Sequence, residues 1–186
     1  MANAESLKDQ GIQQFMQQDY ERAAETFRAA RSAYEAAGED DLAAEMRVNL
    51  GLALHSVGQY DAALAEMQAA RDVFLARGDQ SRLAQALGNM GRVYAKLGNT
   101  EQAITNYREA SALFMEIGDE ENYGQTVLAI ADLQLRGGHV TQAAATYEVG
   151  LDYVKHPNAR QKLMRNLLGL RNRLTGQATS APDKDE

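Results

Sequence analysis

The sequence predicts an all-α repeat protein, an α-solenoid built from stacked pairs of helices. Glycines recur with a period of forty residues in two sets: Gly58, Gly98 and Gly138, and Gly38, Gly78 and Gly118. Alanines keep the same period at Ala23, Ala63, Ala103 and Ala143. A fixed period of this length indicates supersecondary units that stack because none of them can bury its apolar face alone. Only two prolines interrupt a chain rich in helix-forming residues.

Each forty-residue unit is predicted to contain two helices. In the second unit, residues 41–57 carry one apolar stripe at three- and four-residue steps, formed by Leu42, Met46, Leu50, Leu54 and Val57. Gly58 ends this helix because glycine adopts a positive φ at little cost, and residues 59–77 form its partner. The third unit repeats the pattern over residues 81–97 and 100–117. The available N-caps after the inter-repeat glycines are Asp79, Ser81 and Asp119.

Small residues inside the helices predict close packing between the two helices of a pair. Ala63 and Ala103 are expected where the helices cross. Gly51 and Gly91 lie in mid-helix, where glycine costs about 1 kcal/mol relative to alanine. Because a glycine stands twice at the same register, we expect a neighbouring helix to press against its bare backbone.

The predicted domain is one solenoid over residues 1–175. Its repeats span about 2–38, 41–78, 81–118 and 121–155. Pro157 then breaks the helical pattern, and an amphipathic helix over 159–174 is expected to cap the array. Its apolar face consists of Leu163, Leu167, Leu170 and Leu174. Residues 176–186 are small, polar and charged, and are predicted to be a disordered tail.

The residues at this register resemble the signature of the tetratricopeptide repeat family. The second unit gives Leu50-Gly51, Ala63 and Ala70, and the third gives Met90-Gly91, Tyr94, Ala103, Tyr107 and Ala110. The first and fourth units match it less well. The period of forty exceeds the family's usual 34, and the late proline is absent. The longer form is similar to the repeats of kinesin light chains, spindle-orientation adaptors and bacterial regulators that bind signalling peptides. The resemblance implies a right-handed superhelix that serves as a protein- or peptide-binding scaffold.

Composition excludes several classes of chemistry. There is no cysteine, so thiolate nucleophiles, thiolate metal sites and disulfides are not available. His55, His139 and His156 have no partner at metal-ligand spacing, and the acidic pairs fall at turns, which lack the shielding that carboxylate catalysis needs. We therefore expect a protein that is not an enzyme and has no cofactor or metal. The polar start and the lack of a long apolar run predict a cytoplasmic protein without a membrane span.

In the family's register, the first helix of each pair lines the concave face. The residues placed there are Lys8, Ile12, Glu45, Asn49, Leu52, Gln85, Asn89, Arg92, Gln125 and Asp132. Asn49 and Asn89 stand forty residues apart. An asparagine amide both donates and accepts, so it can pair with the backbone of an extended peptide; in similar peptide-binding repeats, an asparagine before the Leu-Gly dipeptide acts in this way. The alternatives for these two side chains are a hydrogen bond between helices and simple exposure to solvent.

The charge distribution suggests a partner other than a peptide in this groove. Residues 1–152 hold 12 Lys/Arg against 23 Asp/Glu, whereas residues 153–182 hold six basic residues and no acid. An alternative function is therefore self-association, in which the basic C-terminal helix of one copy docks on the acidic body of another. We do not expect nucleic-acid binding, because Tyr153 is the sole aromatic companion of the basic stretch. The family's carboxylate-clamp variant is not expected either, since Ile12, Gln85 and Asn89 replace three of its residues.

Overall fold

A computed structural model describes residues 3–176 of the chain. This part of the chain contains nine α-helices and no strand, which confirms the predicted all-α class. The helices are α1 (Ala4–Met16), α2 (Tyr20–Ala36), α3 (Asp40–Ser56), α4 (Tyr60–Arg77), α5 (Gln80–Lys96), α6 (Thr100–Glu116), α7 (Glu120–Arg136), α8 (Val140–Asp152) and α9 (Ala159–Thr175). Apart from Gly176, the predicted disordered tail lies outside the described residues.

The chain divides into two compact units, Met1–Gly118 and Asp119–Glu186. Within the first unit, helices α1 to α6 pack on one another in chain order. Within the second unit, α7 packs on α8 and α8 on α9. None of the described helices combines the length and the apolarity that crossing a membrane requires.

The periodic glycines end helices with a left-handed backbone, as their spacing predicts. All six of them have φ between +67° and +80°. In the first repeat the corresponding residue is Gln18, whose φ is also positive at 63°. A side chain in this region of φ costs about 1–2 kcal/mol, so the first turn is held there by the packing of α1 on α2.

Two of the predicted N-caps are confirmed. The carboxylate of Asp79 accepts from the backbone N–H of Arg82 at 3.0 Å, and that of Asp119 accepts from the backbone N–H of Asn122 at 3.1 Å. Ser81 is not a cap, because α5 begins one residue earlier than predicted and places Ser81 inside its first turn. The backbone hydrogen bond from Arg82 is the largest effect on Asp79 and lowers the pKa of its carboxyl. Burial opposes this shift, and the hydrogen bond and charge of the Arg82 side chain add to it.

The two helices of each pair in the first unit approach where a first helix lacks a side chain. The contacts are Gly11 with Phe27, Gly51 with Met67, and Gly91 with Tyr107. A Cβ atom added to these glycines would lie 2.7, 2.8 and 2.8 Å, respectively, from the facing side chain. Real Cβ atoms do not come so close to their neighbours, so the predicted close approach is confirmed.

The pair α7–α8 in the second unit also packs a large side chain against a glycine, but here the glycine is on the second helix and the large side chain is on the first. Ala131 now stands at the register of the earlier glycines. The close approach is made by Gly150 on the second helix, where a Cβ would lie 2.8 Å from Leu128. Gly124 faces the carbonyl oxygen of Gly150, and its Cβ would lie 2.9 Å from that atom. Every pair from α1–α2 to α7–α8 thus has a glycine at its close approach, on the first helix in the first unit and on the second helix in α7–α8.

A network of four charged side chains joins α2, α3 and α4. Glu66 accepts from Arg31 Nη1 at 2.6 Å and from Arg47 Nη1 at 3.0 Å, and Arg47 Nη2 donates to Glu35 at 2.6 Å. These side chains are only partly exposed. Hydrogen bonds between charged groups are therefore less weakened by water here than on an open surface. The network ties α2 of the first repeat to α3 and α4 of the second.

Helix α9 packs on the second unit through a different face from the one predicted. Leu168 is buried in the core with Leu151 and Val154, and Met164 packs against the same cluster. The four leucines expected to face the array are exposed instead, at 52–79% of their surface. The reason is that the other side of α9 forms directed bonds to α8. Arg171 Nη2 and Asn172 Nδ2 both donate to Glu148, at 2.6 and 2.8 Å.

His55 lies in the last turn of α3 and is held next to α4 and α5. Its ring centroid is 5.5 Å from that of Tyr60, and its Nε2 atom is buried without a hydrogen-bond partner among the described residues. Burial lowers the pKa of this imidazole, and the positive charges of Arg92 and Lys96 lower it further. His55 is therefore neutral in the folded protein over a wider range of pH than in the unfolded chain.

The close approach at Gly91 can be tested against Gly88 in the same helix, where an added Cβ would have no neighbour within 4 Å. Gly88→Ala should raise the free energy of unfolding by about 0.5–1 kcal/mol, because alanine favours helix. Gly91→Ala should lower it by about 1–2 kcal/mol, since the methyl group meets the Tyr107 ring. Urea denaturation followed by circular dichroism measures both. An equal effect of the two substitutions would contradict the packing described.

The environment of His55 predicts a dependence of stability on pH. Because the folded pKa lies below the ordinary 6.5, the unfolded chain binds more protons as the pH falls through that value, and stability decreases. His55→Gln should remove this part of the decrease between about pH 7 and pH 5. Thermal unfolding of both proteins across this range, together with an NMR titration of His55, provides the measurement. A His55 pKa at or above 6.5 would contradict the assignment.

Candidate functional site

The predicted groove residues of the first three repeats lie on α1, α3 and α5, all within the first unit. Two of them contact each other, since Lys8 Nζ on α1 is 3.6 Å from Glu45 Oε1 on α3. Both side chains are partly exposed, and their charges offset one another. This part of the face is therefore polar but locally neutral, and the pair joins the first helices of neighbouring repeats.

An apolar recess lies next to this ion pair. It has a volume of about 180 Å³ and is lined by Ile12, Phe15, Met16, Phe27, Asn49 and Leu52. Phe27 is buried and forms the base, whereas Met16 is 78% exposed. The structure thus brings together Ile12, Asn49 and Leu52, three residues that the sequence placed on one face. Small-molecule sites usually measure about 300–1,000 Å³, so this recess suits one or two apolar side chains.

Met16 was not among the predicted site residues. It stands four positions after Ile12 and therefore lies on the same side of α1. The four-residue spacing from Ile12 could have identified Met16 from the sequence as a further residue of this face. Met16 is the last residue of α1, however, so the apolar periodicity does not continue beyond it.

Asn49 and Asn89 are both half-buried on their helices. In the described part of the chain, neither side-chain amide forms a hydrogen bond. The structure therefore gives no support to a hydrogen bond between helices, which was one alternative for these residues. Each amide keeps one acceptor and two N–H donors for another molecule.

The α5 side of the site carries positive charge. Arg92 and Gln85 are exposed. The charge of Arg92 helps to lower the pKa of His55 on α3, after the larger effect of burial. The charge of Arg92 on α5 therefore reaches His55 at the end of α3. A ligand carboxylate or backbone carbonyl would be favoured there.

The two predicted groove residues of the fourth repeat are engaged by α9. Asp132 accepts from Arg160 Nη2 at 2.6 Å and from the hydroxyl of Tyr147. Gln125 accepts from Gln161 Nε2 at 3.1 Å. The sequence did not predict that the capping helix contacts Asp132 and Gln125. In the structure these residues hold α9 in place.

The described side chains offer directed polar contacts and a small apolar recess. Among residues 3–176, no group of three or more His, Asp or Glu side chains is placed to hold a metal ion. The arrangement can bind a flexible chain by pairing with its backbone at the asparagines and receiving an apolar side chain at Leu52.

A family model for the tetratricopeptide repeat matches the chain twice, over residues 42–116 and 82–155. Together the two matches cover more than half of the sequence. No curated protein matches the sequence.

Solved structures support the same fold at low sequence identity. Aspartyl phosphate phosphatase F from Bacillus subtilis is 16% identical over 94% of this chain, with a TM-score of 0.79. The Rap conjugation gene regulator of plasmid pLS20, solved in complex with the Phr* peptide, is 16% identical over 94% of this chain, with a TM-score of 0.71. This chain spans 45% and 49% of the lengths of those two proteins.

A third similar structure is of a Podosopora anserina kinesin light chain protein whose tetratricopeptide-like repeats are nearly identical to one another. It is 12% identical over 93% of this chain and 87% of its own, with a TM-score of 0.73. The helical pairs, their periodic glycines and the two family matches agree, and the chain belongs to the tetratricopeptide repeat family.

Proposed function

We propose that this protein is a non-enzymatic adaptor that binds an extended peptide across the first helices of its first three repeats. The observation that carries the proposal is the apolar recess between Ile12 and Leu52 with the Asn49 amide at its edge. The recess supplies a place for one apolar side chain, and Asn49 and Asn89 supply donors and acceptors for the peptide backbone. The peptide-bound regulator of plasmid pLS20 has the same fold and is consistent with this use.

The chemistry of the site favours an extended peptide over a partner helix. A helix satisfies its backbone N–H and C=O groups internally, so the asparagine amides would find few partners on it. An extended chain exposes these groups at every residue. The small volume of the recess also suits a single side chain, whereas a docked helix needs a long apolar groove. A bound helix remains an outcome that the binding experiment can reveal.

Self-association through the basic helix has less support. Arg160 and Arg171 pair with Asp132 and Glu148 of the same unit, and Arg165 Nη2 donates to the carbonyl oxygen of Leu151 at 2.6 Å. These three side chains are already engaged, which weakens the attraction that the sequence predicted toward the acidic surface of another copy. A cytoplasmic location remains a prediction from the sequence.

The groove assignment predicts that the asparagines matter for binding and not for folding. Linear peptides selected from a random display library on the wild-type protein should bind the Asn49→Ala/Asn89→Ala variant about 10- to 100-fold more weakly, through the loss of two or more hydrogen bonds. Fluorescence anisotropy measures the affinity. Helical content and Tm should stay unchanged.

Asn106→Ala provides the matched control, since Asn106 lies on the second helix α6 and its amide bonds within that helix, to the Gln102 carbonyl oxygen. Peptide affinity should be unaffected by this change. Leu52→Glu should weaken binding by placing a charge in the recess. Undiminished binding by the double asparagine variant would overturn the groove assignment.

A further inference from the structure

The exposed leucines of α9 form a continuous stripe. Leu163, Leu167, Leu170 and Leu174 follow one another at steps of four, three and four residues, and each exposes more than half of its surface. At 100° per residue they fall within about 60° of arc and span about 16 Å along the helix. This 4-3-4 spacing forms a narrow seam of the kind that packs against another helix.

The stripe is held away from the unit by contacts that the other faces of α9 make. Leu168 is buried, and Arg171 and Asn172 bond to Glu148. At its start, α9 has a capping box in which Asn158 and Gln161 exchange hydrogen bonds. The helix is therefore fixed at its N-terminus and along one face. Rotating the leucines inward would break these bonds, so their exposure follows from how α9 is attached.

The charges beside the stripe have one sign. Helix α9 contains five basic residues and no acidic residue. Lys162 and Arg173 both lie on the same edge of the stripe, about 90–110° from its centre. Neither side chain has an ion pair or hydrogen bond with the residues that the structure describes. This edge therefore presents uncompensated positive charge beside an apolar seam.

We propose that the stripe of α9 binds an amphipathic helix of another protein, with aliphatic residues on its apolar face and Asp or Glu along its borders. The seam supplies the apolar contact, and Lys162 and Arg173 select acidic flanks. The site is distinct from the peptide groove of the first unit and does not depend on it.

Two other occupants fit the same surface less well. A second copy of α9 would bring Lys162 and Arg173 against another set of basic residues, and like charges at such borders disfavour pairing. An anionic membrane would face a narrow stripe that has no aromatic residue, unlike the typical interfacial helix. It would also be repelled by residues 1–152, which hold 12 basic and 23 acidic residues.

The proposal can be tested with two synthetic helical peptides that carry leucines at the 4-3-4 spacing and differ only in their flanks, which are Glu in one and Lys in the other. The full-length protein should bind the Glu-flanked peptide at least about tenfold more tightly, as measured by anisotropy. Lys162→Glu/Arg173→Glu should reverse this preference. Leu167→Asp/Leu170→Asp should weaken binding about tenfold or more through lost apolar contact.

Leu75→Asp is the matched control, because Leu75 is an equally exposed leucine on α4, at 62%. It should leave the affinity unchanged, and circular dichroism should show that every variant is folded. Equal binding of the two peptides, no binding of either, or an unaltered affinity in Leu167→Asp/Leu170→Asp would overturn the proposal. Self-association that the Leu167→Asp/Leu170→Asp variant abolishes in sedimentation would assign the stripe to a second copy instead. Pelleting with anionic phosphatidylserine vesicles would assign it to a membrane.

Discussion

The structure depends on how closely the two helices of a pair can approach. In the first unit a glycine on each first helix receives a large side chain from the second, as Gly51 receives Met67. Burying the whole apolar face of a helical pair requires this contact, because a Cβ atom would hold the helices apart and leave voids. Glycine lowers the stability of a helix, yet it occurs at this register in all three pairs, as Gly11, Gly51 and Gly91. Close packing of the pairs then fixes which sides of α1, α3 and α5 remain open.

The candidate binding site is a consequence of that packing. When the buried side of α3 faces α4, Asn49 and Leu52 are left on the opposite side, near Ile12 of α1. On α5, the positive charge of Arg92 acts on the half-buried His55 at the end of α3. Three of the residues predicted from the helical register, Ile12, Asn49 and Leu52, thus line one recess. The second unit uses the corresponding residues differently, because Asp132 and Gln125 hold α9.

Much of the fold could be predicted from the sequence, because residues that recur every forty positions mark the helix ends and the buried faces. The turns at the six periodic glycines, the cap at Asp79 and the close approach at Gly91 were all predicted. Contacts between residues that do not recur at this period could not be predicted from it. The ion-pair network of Arg31, Glu35, Arg47 and Glu66 joins positions as far as 35 residues apart and has no periodic counterpart. The leucine pattern of α9 predicted an amphipathic helix correctly. Which side of it packs was decided instead by bonds from Arg171 and Asn172 to Glu148.

The most direct test of this account is a double-mutant cycle between Gly91 and Tyr107. The free energies of unfolding would be measured for the wild type, Gly91→Ala, Tyr107→Ala and the double variant. If the glycine exists to receive the ring, the alanine at position 91 should be harmful beside Tyr107 and neutral or stabilising once the ring is removed. The coupling energy should then be about 1–3 kcal/mol. A coupling energy near zero would contradict the central claim that this contact sets the spacing of the pair.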